Sequence, residues 1–285
     1  MFLFGLETYN YMKYKKIVLF FCIALPLCTL MRFLQLAFTV DTETGFFKPE
    51  YKTVGYYLLA FILAFCAVTV ILCFTGHRNP EHPPKKNIFI SLSAILFAFT
   101  IGTELLSESF SGAVRAWQSA LLTVTGVAAT LFLLAYGANG FVRFKIPPIF
   151  SVAPAAYFIM RIICDFTSVS SLALITDNLL LLAAYCFNLL FFICFGKLYN
   201  KIDTEYNFRR MLATGMGSVI LCFTQSVPHF IINAVTGNGY CHTSLACNAS
   251  LFAGGLFIAA FIFSHFSYKN SAVPHSSESE EEYYI

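Results

Sequence analysis

Residues 54–75 read VGYYLLAFILAFCAVTVILCFT, a run of 22 residues without a charged side chain. A helix needs about 20 mainly apolar residues to cross the roughly 30 Å hydrocarbon core of a bilayer. A helix at the surface of a soluble protein has polar residues on the face that meets water, so it rarely contains so long an apolar run. The run therefore predicts a membrane-spanning helix.

Apolar runs of this kind recur along the whole chain of 285 residues. The composition, 58% hydrophobic and 12% charged, lies outside the soluble globular range, in which about a quarter of residues are charged. The net charge of +3 is too small to indicate a nucleic-acid partner. The sequence predicts an all-α, polytopic transmembrane helical bundle whose partner is the lipid bilayer. About eight spans are predicted, at residues 17–38, 54–75, 88–106, 117–138, 149–165, 172–196, 208–234 and 245–267.

The basic residues indicate an orientation, because Lys and Arg in short loops stay mostly on the cytoplasmic side. The first segment, the second, fourth and sixth loops and the C-terminal tail hold 13 of the 18 Lys and Arg residues. The alternate loops hold only Lys48, Lys52 and Arg115. This distribution predicts a plasma-membrane protein with both termini in the cytoplasm.

The two halves of the chain share a local pattern. Pro26 is followed six residues later by Arg32, and Pro154 is followed seven residues later by Arg161. One interpretation is a parallel 4+4 internal repeat, and the other is chance similarity between apolar helices. The repeat would divide the chain into four-helix halves at 1–140 and 141–270, followed by an acidic cytoplasmic tail, 271–285, predicted to be disordered.

Ionisable and amide side chains collect at the outward ends of the predicted spans, although placing charge within a span is costly. Arg161 and Asp165 are four residues apart and can form an ion pair on one helical face. Arg32 has no acidic neighbour in its own span, so its partner is Glu104 or Asp177 of another helix, a lipid headgroup or a ligand anion. Structural ion pairs and a ligand site both explain the set. The candidate ligand-binding residues are Arg32, Gln35, Glu104, Arg161, Asp165, Asp177, Gln225 and His229.

The leading functional hypothesis is a transporter of a small polar or anionic solute, with a cavity that opens outward and is shared by Arg32 and Arg161. The alternative is a non-transporting receptor or a scaffold subunit, which the apolar inward halves of the spans favour. No hydrolase, P-loop or dinucleotide fingerprint occurs, so an enzyme of the membrane interior is only the third alternative, and no cofactor is predicted. The spacing of His77 and His82 fits no zinc motif, and no metal site is predicted. The ligand and the oligomeric state are left open.

The ten cysteines fall into two groups. Eight lie within apolar runs, where a thiol behaves as a small hydrophobic side chain. Cys241 and Cys247 lie six residues apart in and beside a polar loop on the predicted outer side. A disulfide between them is predicted, with two free thiols as the alternative.

Overall fold

The computed structural model describes residues 2–41, 47–75, 87–111, 116–142, 146–168, 176–202, 204–236 and 244–268. Within these ranges the chain forms eight α-helices, and each, together with any short helical turn that adjoins it, includes a stretch long and apolar enough to cross a membrane. The predicted all-α architecture with eight such helices is confirmed. The helices are α1 (Phe2–Leu34), α2 (Lys52–Thr75), α3 (Ile88–Ser111), α4 (Ala116–Ala138), α5 (Ala153–Ser168), α6 (Thr176–Tyr199), α7 (Thr204–Thr236) and α8 (Leu245–Tyr268).

Several helix ends differ from the sequence-based expectation. A π-helical turn, Gln35–Thr39, continues α1, and the Val40 N–H donates to the Gln35 carbonyl oxygen at 3.2 Å, five residues earlier. Short 3-10 turns, Pro49–Tyr51 and Pro148–Val152, lead into α2 and α5. Proline suits such first turns because its missing N–H would have no intrahelical partner there. The apolar pattern alone carried no signal for these turns.

Six of the helices form a ring. Following the helix contacts, α3 packs against α4, α4 against α5, α5 against α6, α6 against α7, α7 against α8, and α8 returns to α3. Helices α1 and α2 pack against each other and against α7, on one side of this ring. Helix α7 therefore joins the ring to the first two helices.

Aromatic side chains fill the interior of the ring. The Phe192 ring centroid lies 6.2 Å from that of Phe97, 5.7 Å from that of Phe158 and 6.0 Å from that of Phe257. These rings come from α3, α5, α6 and α8, and all four are buried. Gly254 of α8 permits the close approach, because a Cβ atom built there would lie 3.0 Å from Phe97 Cε2. The ring is thus a packed core with interdigitated side chains.

The helix packing does not confirm the predicted 4+4 repeat. The contact between α6 and α7 is the most extensive in the structure, whereas α2 and α3, which would be their counterparts, share no comparable interface. The ring also combines α3 and α4 with all four helices of the predicted second half. The division at residue 140 stays a prediction, and the tail 271–285 lies outside the described residues.

Candidate functional site

The first of two buried polar clusters surrounds Arg32, and we call it the Arg32 cluster. It consists of Arg32 at the end of α1, Gln35 in the π-helical turn, Asp177 in the first turn of α6, and Gln225 and His229 of α7. All five side chains are buried, and Arg32 is 0% exposed. Three helices and the π-helical turn thus bring together five of the eight predicted site residues.

Arg32 is held by charge and by amide groups. Its Nη2 donates to Asp177 Oδ1, and its Nη1 donates to Gln35 Oε1. Gln35 in turn donates from Nε2 to the Gly55 carbonyl oxygen of α2 at 2.8 Å. The ion pair with Asp177 confirms one of the partners that the sequence offered for Arg32.

His229 links Asp177 to Gln225. Its Nε2 lies 3.4 Å from Asp177 Oδ1 and 3.3 Å from Gln225 Nε2, so both residues meet one imidazole nitrogen. Asp177 Oδ2 and Gln225 Oε1 are buried and accept no hydrogen bond within the described part of the chain. A buried acceptor without a donor costs roughly 1–3 kcal/mol. Two such oxygens beside one imidazole are therefore well placed to accept hydrogen bonds from a bound molecule.

The second cluster surrounds Arg161 of α5, and we call it the Arg161 cluster. Arg161 Nη2 lies 3.3 Å from Glu104 Oε1, its Nε lies 3.4 Å from Asp165 Oδ2, and its Nη1 pairs with Glu108 Oε1. Its Nε also donates to the Tyr185 hydroxyl oxygen of α6 at 3.2 Å. Three carboxylates thus share one guanidinium. The predicted ion pair between Arg161 and Asp165 is confirmed.

The two arginines have separate partners in the structure. Both clusters involve α6, but Asp177 and Tyr185 are eight residues apart, about 12 Å along the helix axis. The buried apolar residues Leu180 and Ala184 lie between them in sequence. The structure thus describes two clusters, each with its own acids, and the expectation of one site shared by Arg32 and Arg161 stays a prediction.

Cys247 belongs to the surroundings of Arg161. It is a buried free cysteine at the start of α8, and its sulfur lies 3.1 Å from the Tyr185 hydroxyl oxygen. The other cysteine of the predicted disulfide, Cys241, lies outside the described residues, so the pairing itself stays a prediction.

Sequence reasoning missed three side chains of the Arg161 cluster. Glu108 was left out because the third span was ended at residue 106, although Glu104 and Glu108 are four residues apart on one helical face. Tyr185 and Tyr157, whose hydroxyl donates to Glu104 Oε2 at 3.1 Å, were counted as apolar. A tyrosine in the middle of a span is itself a usable signal, since a buried hydroxyl needs a partner.

The fold and the clusters together define a class: a multi-pass helical bundle with membrane-length helices and ionisable side chains held inside it. Eight membrane-compatible helices among the described residues suggest an integral membrane protein. No protein-family model, no curated protein and no solved structure matches the chain.

Proposed function

We propose that this chain is an integral membrane protein that binds a small polar solute with an anionic group at the Arg32 cluster and responds to it without carrying it across the bilayer. The ligand would carry a carboxylate or a phosphate together with a hydrogen-bond donor such as an ammonium or a hydroxyl group. The observation that carries this proposal is a pair of buried acceptor oxygens in the Arg32 cluster, Asp177 Oδ2 and Gln225 Oε1, which accept no hydrogen bond from the described residues.

The binding step is an exchange of partners. The ligand's anionic group would take the place of the Asp177 carboxylate on Arg32, whose fork of donors suits a planar or tetrahedral oxyanion. The displaced Asp177 would then accept from the ligand's donor group, together with Gln225. When the ligand's donor is an ammonium group, such an exchange keeps every buried charge paired, which a low-dielectric site favours.

The packing beyond the cluster supports binding without transport. Towards the other end of α1, α2 and α7, most buried side chains are small or apolar, Ala24 among them. Two buried polar residues there, Asn188 and Ser218, are hydrogen-bonded to each other at 2.8 Å. Cys73 Sγ lies 3.5 Å from Met216 Sδ. A polar solute that left the Arg32 cluster in this direction would lose its hydrogen bonds and meet few polar groups to replace them.

Transport, the leading hypothesis from sequence, is the second candidate, and one observation favours it. Pro26 lies inside α1 six residues before Arg32, and Pro228 lies inside α7 next to His229. Proline removes an intrahelical hydrogen bond and weakens a helix locally. Two such points flank the Arg32 cluster, where bending of α1 and α7 would open it.

Binding is tested with purified protein in lipid nanodiscs, by thermal unfolding in the presence of glycine, lactate, acetate or inorganic phosphate. We expect glycine, lactate or phosphate to raise the unfolding temperature, and acetate, which lacks a donor, to raise it less. Arg32→Lys should lower the affinity for the probe that binds by about tenfold or more, since lysine keeps the charge but lacks the two parallel donors of the guanidinium. The control Arg161→Lys changes the same residue type in the other cluster and should leave the response intact.

A wild-type protein that responds to none of these probes, or responds equally after Arg32→Lys, would overturn the proposal. Transport is tested separately in proteoliposomes with the radiolabelled probe that binds. Binding that saturates at one probe per protein supports the non-transporting function. Time-dependent accumulation that Arg32→Lys abolishes would decide for the transporter instead.

A further inference from the structure

A second feature lies at the opposite end of the bundle from the Arg32 cluster, where α5 begins and α6 ends. A cleft of about 200 Å³ there is lined by apolar side chains of both helices, with Lys197 and Asn200 at its polar end. Val152 and Ile193 contribute to the lining and are 55% and 40% exposed. The cleft is smaller than the roughly 300–1,000 Å³ of typical small-molecule pockets.

Local backbone structure fixes the polar end of the cleft. Asn200 Nδ2 donates to Ser151 Oγ at 2.9 Å and to the Gly196 carbonyl oxygen at 2.7 Å, which ties the end of α6 to the turn before α5. Lys201 has a φ of 55°, and the Ile202 N–H donates to the Lys197 carbonyl oxygen at 2.9 Å. This is the pattern of a helix that stops in a left-handed residue. The backbone that carries Lys197 is thus held in place beside the cleft.

This end of the bundle is basic. Besides Lys197, the exposed Lys201 follows α6, and Arg209 and Arg210 lie in the first turns of α7. Asn207 Nδ2 donates to the Cys194 carbonyl oxygen at 2.7 Å, which places the start of α7 beside the end of α6. A basic rim above an apolar groove between membrane-length helices matches the chemistry of an anionic lipid, with its phosphate at the interface and its chains in the hydrocarbon.

We propose that this cleft is a binding site for an anionic phospholipid, with the phosphate on Lys197 and one acyl chain against Val152, Ala155 and Ile193. Lys197 supplies a charge to the headgroup, and the exposed faces of Val152 and Ile193 supply apolar surface to the chain. The small volume suits a section of a single chain. The site is independent of the Arg32 cluster, and each can exist without the other.

The test is native mass spectrometry of protein released from mixed micelles that contain phosphatidylglycerol and phosphatidylcholine with identical acyl chains. We expect phosphatidylglycerol to be retained in preference, and Lys197→Gln to reduce its retention about fivefold, since one Lys near an anionic surface contributes about 1 kcal/mol. The matched control is Lys52→Gln, which removes an exposed charge at the other end of the bundle.

The acyl-chain part of the proposal is tested with Val152→Trp, which fills the cleft and should reduce retention of both lipids. Ile159→Trp, in helix α5 that follows the turn with Val152, is its control, because Ile159 is 45% exposed and lies outside the cleft lining. If circular dichroism shows that Val152→Trp does not fold, Val152→Phe takes its place. Equal retention of the two lipids by the wild type, equal effects of Lys197→Gln and Lys52→Gln, or an unchanged retention after both Val152 substitutions would overturn the proposal.

Discussion

The ion pair between Arg32 and Asp177 makes a sharp prediction about stability. Asp177→Asn keeps the size of the side chain and removes its charge, which leaves the Arg32 guanidinium buried without that carboxylate. The two side chains are 0% and 1% exposed, so water cannot compensate. Removing one member of a buried pair costs about 3–5 kcal/mol, whereas exposed pairs contribute roughly 0.2–1 kcal/mol. For Asp177→Asn we expect a loss of unfolding free energy in the range of the buried pairs.

A comparison within the protein sharpens this expectation. Asp165 is 25% exposed, and Arg161 keeps Glu104 and Glu108 when Asp165 is changed to Asn. Asp165→Asn should therefore cost less than about 1 kcal/mol. Combining Arg32→Met with Asp177→Leu removes both charges and should recover most of the stability lost by Asp177→Asn alone.

The assay is reversible unfolding by sodium dodecyl sulfate in mixed micelles, followed by far-ultraviolet circular dichroism. The reasoning fails if Asp177→Asn costs no more than Asp165→Asn, or if the double variant is no more stable than Asp177→Asn. Either result would mean that the Arg32 charge is compensated by something other than Asp177.

Three further predictions concern packing, hydrogen bonding and topology. Gly254→Ala should cost about 1–3 kcal/mol, because the Phe97 ring that the new Cβ meets is held by its neighbours, while Gly102→Ala, with nothing within 4 Å of its Cβ, should cost nothing in the same unfolding assay. The buried Ser218 hydroxyl of α7 donates a 2.8 Å hydrogen bond to Asn188 Oδ1, and Asn188→Ala, which removes this bond, should cost about 0.6–1.7 kcal/mol. In a variant without native cysteines, Lys48→Cys should react with an impermeant thiol reagent on intact cells and Lys201→Cys should not; the reverse pattern would invert the predicted orientation.

The helices and one ion pair could be predicted from sequence because both depend on local information. The run 54–75 is apolar around its whole circumference, and such a run has few alternatives to a spanning helix. Arg161 and Asp165 are neighbours in any α-helix, whatever surrounds them. The need of Arg32 for a partner was also local, since α1 holds no acid within reach.

The assignment of acids to arginines could not be predicted, because it depends on the order in which the helices pack. Asp177 and Glu104 were equivalent candidates for Arg32 in the sequence. The ring order places α3, and with it Glu104, beside α4 and α8, whereas α7 connects α1 to α6 and brings Asp177 to Arg32. The π-helical turn after Arg32 is likewise a consequence of packing that hydropathy does not report.

The pairing of Arg32 with Asp177 also determines how the protein responds to an electric field. A potential of 100 mV does about 2.3 kcal/mol of work on one elementary charge that crosses the whole membrane, and almost none on two opposite charges that move together. If the chain spans an energised membrane, a joint movement of Arg32 and Asp177 would therefore carry no net charge through the field. If a solute with a net negative charge replaced Asp177 on Arg32, that solute would be the component on which the membrane potential acts.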